Sequence, residues 1–282
     1  MNLPPKASDA DYGGRFREVI SDPLNLLIAR VPMAGVQNGP DVCLHNGVTV
    51  PAFGAGTYYG MFSQLLILNR GVHEPLEEYV FQEVIKNMPD APQMIELGAY
   101  WAHYSMWLKK ERPAAKVIMV EPDQKNMAVG QANFRRNGFE GEFVQARVAK
   151  GQWQLDPFMR NRSIDRLDIL HVDIQGFEVD MVDGGREALK NHLIDYVFIS
   201  THSQDIHRKI VLEMSQFGYS IEVSSDFESG TTSFDGLVFA SSPRAKSVFR
   251  EFSHLGREKL AASHPDDLVQ AVLGYRNSRV RG

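Results

Sequence analysis

The sequence predicts an α/β fold: a mostly parallel sheet of seven strands with helices on both faces. Two observations carry that expectation. From residue 94 onward, short apolar runs of strand length alternate with longer stretches whose apolar positions recur at helical spacing. Glycine, proline and asparagine punctuate the boundaries, as strand–helix–strand units with right-handed crossovers require. The chain has 282 residues, 43% hydrophobic and 23% charged, enough for one large α/β domain with appendages.

Taken in order, residues 1–74 form an N-terminal extension rich in glycine, proline and asparagine. Two β-prone pieces, 42–44 and 48–50, flank the turn signal Asn46-Gly47 and predict a hairpin. The domain proper spans 75–243. Pro75 in a first turn with Glu77 and Glu78 opens a helix that ends near Pro89. Strands follow at 94–97 and 117–120, separated by a helix over 104–111 that Pro113 stops. Asp123 caps a helix running to Asn137, which Gly138 ends, and 142–148 alternates as a third strand. A fourth strand covers 167–172, a helix 178–191 and a fifth strand 195–199. Ile206, Ile210, Met214 and Phe217 line one face of the next helix. Strands at 219–223 and 237–240 complete the sheet, and a helical tail, 244–282, has its last amphipathic segment opened by Ser263 and Pro265.

Composition removes several function classes. Thirty Lys and Arg against 35 Asp and Glu give a net charge of −5, without the basic footprint that neutralises phosphates. A nucleic-acid partner is not expected. No apolar run reaches the roughly 18 residues of a membrane span. Cys43 is the single cysteine, which excludes an intramolecular disulfide. With no signal-peptide core near Met1, the expectation is a cytoplasmic protein, and the amphipathic tail suits a homodimer.

In open parallel sheets, ligands bind beyond the carboxyl ends of the strands. The first strand of the alternation ends at Glu96-Leu97-Gly98-Ala99-Tyr100, the second at Glu121-Pro122. Glu121 follows Gly98 by 23 positions, close to the spacing at which a carboxylate accepts ribose hydroxyls. Dinucleotide sites need a second glycine where this chain has Tyr100, which a pyrophosphate would meet. S-adenosylmethionine has no phosphate, and its sulfonium and amino-acid tail suit a bulkier loop with carboxylates such as Glu96 and Asp173 nearby. Glu96, Gly98, Ala99, Tyr100, Glu121, Pro122 and Asp173 are thus the expected cofactor residues. A nucleotide-dependent oxidoreductase and a non-catalytic module that keeps the fold stand as alternatives.

These segments resemble the FkbM family of methyltransferases over roughly residues 75–243. Glu96 to Ser105 is similar to the family's D-x-G-A-x-x-G-x-x-S, with Glu for Asp and Ala102 for the last glycine. Glu121-Pro122 matches its E-P, and Asp173-Ile174-Gln175-Gly176-Phe177-Glu178 its D-x-E-G-x-E, with Gln175 for a carboxylate. Ser200-Thr201-His202-Ser203 and Phe234-Asp235-Gly236-Leu237 look like a T-H-S and D-G subset. The resemblance implies a Rossmann-like class I methyltransferase fold and methyl transfer, typically to oxygen; nitrogen is the alternative acceptor atom.

Methyl transfer to a hydroxyl of a small molecule, such as a sugar or secondary metabolite, also requires loss of a proton. His202, just past the fifth strand, is the first candidate base, because imidazole titrates near neutrality. Asp173 is the second. Asp173, His202 and Asp235 come from three strand ends, and such a set can hold Mg²⁺ or Mn²⁺, a minority alternative to metal-free transfer. Glu178, opening a helix, reads as a carboxylate favoured by the helix dipole. His171 shares a sheet face with Asp173 and reads equally as core or functional. Tyr59, Arg70, His73 and Asp235 are candidate acceptor contacts, beside Tyr58 and Glu74, which equally suit an interface.

Overall fold

The computed structural model describes residues 11–54, 56–58 and 60–280. Its helices are α1 (Tyr12–Ser21), α2 (Gln64–Leu68), α3 (Pro75–Ile85), α4 (His103–Glu111), α5 (Gln124–Arg136), α6 (Leu155–Asn161), α7 (Glu178–Gly184), α8 (Arg186–Lys190), α9 (Gln204–Gln216), α10 (Arg257–Ala262) and α11 (Pro265–Ser278). Its strands are β1 (Gln37–Asn38), β2 (Asp41–Cys43), β3 (Thr49–Pro51), β4 (Gln93–Leu97), β5 (Lys116–Glu121), β6 (Glu142–Gln145), β7 (Leu167–Val172), β8 (Ile194–Thr201), β9 (Ser220–Ser225) and β10 (Gly236–Ser241). A seven-stranded sheet runs β6-β5-β4-β7-β8-β10-β9, and β1-β2-β3 form a small antiparallel sheet.

The pairings β6–β5, β5–β4, β4–β7 and β7–β8 are all parallel. Strands covered on both faces lose the polar alternation of half-exposed ones. That is why every residue of β8 is buried, as are Ile95, Leu97, Leu170 and Val172. The expected Rossmann-like order follows: chain order reverses at β4, which lies between β5 and β7.

Three expectations need correction. The helix read as 178–191 is broken into α7 and α8 at Gly184-Gly185, where a Cβ on Gly185 would lie 2.9 Å from Leu155 Cδ2. A further helix, α6, lies unforeseen between β6 and β7; Asp156 in it caps α8, accepting from Glu187 N at 2.8 Å and Ala188 N at 2.9 Å. The third strand stops at Gln145 rather than 148, and Val148 makes only an isolated bridge to Trp153. The last helix takes His264, not Ser263, as N-cap, with Asp267 completing a capping box.

The chain divides into two compact units. One comprises Met1–Lys86, Glu222–Leu237 and Ser247–Gly282; the other comprises Asn87–Ile221 and Val238–Lys246. The first is knitted from its three segments by buried polar groups. Asp22 accepts from Leu24 N at 2.8 Å and from Thr232 Oγ1, and lies 3.1 Å from His254 Nε2. Glu222 accepts from Val248 N and Phe249 N, both at 2.7 Å, and Tyr79 Oη donates to Tyr275 O at 3.2 Å. Glu78, fully buried, is gripped by His45 Nε2 at 2.9 Å and His73 Nδ1 at 2.6 Å. Burial opposes charge on Glu78, but His73 and His45 override it and hold the carboxyl well below its usual range. Burial opposes charge on His73 too, and Glu74 and Glu78 outweigh it, raising its pKa.

Candidate active site

The loop after β4 is built for close approach. Gly98 has φ +76°, and a Cβ there would sit 1.6 Å from Asp173 O, so only glycine lets β4's end pass β7's end. Asp173 N donates to Leu97 O at 2.9 Å, fastening the two strand ends together. Tyr100 and Ala102 also have positive φ, 41° and 62°. A non-glycine residue in this region costs roughly 1–2 kcal/mol, so the loop carries strain that surrounding bonds must hold. One such support is the packing of α5 against it: a Cβ on Gly130 would meet Tyr100 O at 2.8 Å.

Glu121 supplies the other support. Buried at the end of β5, its Oε2 accepts from Tyr100 N at 3.0 Å and its Oε1 from Asp123 N at 3.0 Å. Pro122 O lies 3.5 Å from Gln145 Nε2. Gly98 N and Ala99 N both donate to Val120 O, and Ala102 N to Ala99 O. Most backbone donors of the loop are therefore spent inside the protein. A pyrophosphate cradle needs those N–H groups pointing outward. A ligand bearing hydroxyls and a positive sulfur needs acceptors, which Glu121 and Asp173 provide. This donor and acceptor set fits S-adenosylmethionine. Glu96 is used differently: it is buried, its Oε2 accepts from Ser105 N at 3.1 Å at the start of α4, and burial raises its pKa despite nearby His171.

Across the switch point, at the ends of β7 and β8, three titratable groups form a chain. His202 Nδ1 lies 2.7 Å from Glu178 Oε1, and His202 Nε2 lies 3.2 Å from Asp173 Oδ1. Glu178 is wholly buried in the first turn of α7 and also accepts from Gly176 N at 3.0 Å. Asp173 takes a further bond from Gln175 Nε2 at 3.0 Å. Burial pushes the Asp173 carboxyl up, but His202's hydrogen bond and charge reverse this and leave it below its usual value. The arrangement can take a proton onto an imidazole whose other nitrogen is held by a buried carboxylate.

The structure thus brings together Gly98, Asp173 and His202, and adds Glu178 as the residue that holds His202. Glu178 opens α7 as its sequence position implies, and the last carboxylate of the D-x-E-G-x-E resemblance is the signal that it does more. His171 is buried with its ring 4.1 Å from that of Tyr104. The expected acceptor contacts lie in the first unit. Arg70 follows α2 with φ +52°, His73 is buried against Glu78 and, edge-on, Tyr58, and Asp235 O accepts from Thr231 Oγ1 at 2.6 Å. Tyr59 lies outside the described residues.

The family model of the methyltransferase FkbM domain matches residues 140–221, which take in Asp173, Glu178 and His202. No curated protein matches the chain. Among solved structures, it is similar to TrmK of M. capricolum in complex with S-adenosyl-homocysteine, at TM-score 0.43 and 13% identity, over 61% of this chain and 72% of that one. It is also similar to a precorrin-6y C5,15-methyltransferase from Geobacter metallireducens GS-15, at TM-score 0.43 and 14% identity over 58% and 88% of the chains. Ribosomal protein L11 methylase from Lactobacillus delbrueckii subsp. bulgaricus gives TM-score 0.43 and 11% identity over 61% and 81%. The matched residues run from just before β6 to the start of β9 in the seven-stranded sheet, and among the described residues no helix is long and apolar enough to cross a membrane.

Proposed function

We propose that this chain transfers the methyl group of S-adenosylmethionine to a hydroxyl oxygen of a small molecule, with His202 as general base. The observation that carries this reading is the Glu178–His202–Asp173 chain at the strand ends that adjoin the Gly98 loop. When bound, the cofactor supplies an electrophilic methyl on a good leaving group, so the protein has to hold the acceptor in line and remove its proton. Glu178 fixes the proton on Nδ1 of the neutral ring, and the acceptor hydroxyl enters between Nε2 and Asp173 Oδ1, replacing their 3.2 Å contact. The proton moves from that hydroxyl to Nε2, and the resulting imidazolium lies between two carboxylates. Asp173 both stabilises that charge and orients the hydroxyl. Glu121, with lone pairs beyond those given to backbone amides, accepts the ribose hydroxyls.

Calorimetry with S-adenosylhomocysteine against NAD tests the cofactor: binding of the first and not the second is expected, and the reverse overturns the reading. With an acceptor found by screening hydroxylated small molecules, His202→Ala is expected to lower kcat about 10²–10⁴-fold, the usual contribution of a general base. Glu178→Gln acts in the same direction, with S-adenosylhomocysteine affinity kept in both variants. Full activity in either removes His202 from this role. Chelation leaves the rate unchanged under this reading; loss of the rate on chelation favours the divalent-metal alternative.

A further inference from the structure

The first unit holds an arginine mounted as a ligand-binding group. Arg15, on α1, has its guanidinium carbon 4.1 Å from the centroid of the Phe62 ring and 3.9 Å from that of Phe234. Two rings thus contact one cation. Phe62 is itself buried and braced by Phe16 at 5.1 Å and Tyr58 at 5.7 Å. Phe234 hangs on a loop held by Thr231 Oγ1, which donates to Ser233 O at 2.9 Å and to Asp235 O. Two ring contacts therefore restrain the guanidinium, which reduces the rotamer entropy an exposed arginine loses on binding.

Among the described residues no ion pair joins the Arg15 guanidinium to a carboxylate, and its side-chain contacts with Phe62 and Phe234 are aromatic. Its Nε is buried and meets no acceptor there, and the residue is half-buried overall, leaving the terminal Nη groups to meet a ligand. Ser233 Oγ, next to Phe234 on the same loop, is likewise buried without an acceptor or donor among the described residues. Aromatic faces satisfy the charge of an arginine but not its in-plane N–H groups, which are shaped for a planar two-oxygen acceptor. We infer that Arg15, Phe62 and Phe234 form a binding site for a small organic carboxylate, the carboxylate lying in the guanidinium plane and the adjoining apolar group between the ring edges.

The test uses the full chain and sodium benzoate as probe. The ¹⁵N-detected Nε–Hε resonance of Arg15, assigned by its loss in Arg15→Lys, is followed through a benzoate titration at constant ionic strength, with sodium chloride as control. The inference expects a saturable shift with a Kd on the order of 1 mM, and no saturation with chloride. Phe234→Leu, which removes one face and keeps an apolar side chain, is expected to weaken binding severalfold. In Arg15→Lys, benzoate-induced shifts of the neighbouring α1 amides should require at least roughly tenfold more ligand, because a lysine offers a point charge rather than a planar fork. A linear response up to high benzoate, an equal response to chloride, or α1 shifts unchanged in Arg15→Lys overturns it. Since the readout is binding alone, in the presence or absence of S-adenosylhomocysteine, it stands or falls separately from methyl transfer.

Discussion

Replacing Gly98 with alanine tests the architecture of the cofactor loop directly. The added Cβ would lie 1.6 Å from Asp173 O, whereas ordinary contact begins near 3.4 Å, so β4's end must retreat from β7's by well over an ångström. Two penalties add: roughly 1–2 kcal/mol for an alanine at positive φ and roughly 1–3 kcal/mol for overpacking. The sum, about 2–5 kcal/mol, corresponds to a fall in melting temperature of roughly 4–20 °C at about 2–4 °C per kcal/mol. Gly138 is the matched control, since it has φ +68° and nothing within 4 Å of the added Cβ. Gly138→Ala therefore carries only the backbone penalty, about 1–2 kcal/mol. Calorimetric melting and S-adenosylhomocysteine titration of both variants separate the effects. Gly98→Ala should lose more stability than the control and bind at least roughly tenfold more weakly, because the displaced loop also carries the Tyr100 contact to Glu121. Equal melting temperatures and equal affinities in the two variants would refute the argument that this approach of strands shapes the pocket.

Glu121→Ala leaves Tyr100 N and Asp123 N without their acceptor; at about 1.5–3 kcal/mol for a hydrogen bond to a charged group, S-adenosylhomocysteine affinity should fall roughly ten- to a hundredfold, and unchanged calorimetry would exclude Glu121 from the site. The raised pKa of His73 gives a pH dependence of known sign: its contribution to stability is complete below the unfolded value of about 6.5 and is lost as pH rises through the higher folded value. The melting temperature should thus decline from near-neutral into mildly alkaline pH, with a shallower decline in His73→Gln; identical slopes would show that the Glu74–His73–Glu78 contacts do not hold the proton.

The central strands were legible because burial on both faces leaves continuous apolar runs such as 117–120 and 196–199, without the polar alternation of a half-exposed strand. The loop constellation was legible because Gly98, Glu121 and Asp173 each end a strand, and neighbouring strand ends meet whatever the side chains between them. What escaped was set by contacts distant in sequence. The break between α7 and α8 answers to Leu155, about thirty positions away, and α6 is seven residues with Pro157 inside it, too short for a periodic signal. The hold of Glu178 on His202 depends on β7 and β8 being adjacent, a fact of topology. In the first unit, α1 carries Gly13-Gly14 in its first turn, which argue against a helix; Asp11, accepting from Gly14 N at 2.8 Å, supplies the missing start.

The three-segment make-up of the first unit bears on how the polypeptide matures. Tyr79 finds its buried acceptor on Tyr275, 196 positions later, and Asp22 waits equally for His254. At a synthesis rate of about 5–20 residues per second, the nascent amino-terminal segment spends roughly 10–40 s on the ribosome before those partners exist. Throughout that interval Tyr79 lacks Phe249, Phe252 and Tyr275, and Asp22 lacks His254, while the second unit's first five sheet strands can already assemble. Chaperone demand should accordingly peak late in translation and fall on the amino-terminal segment.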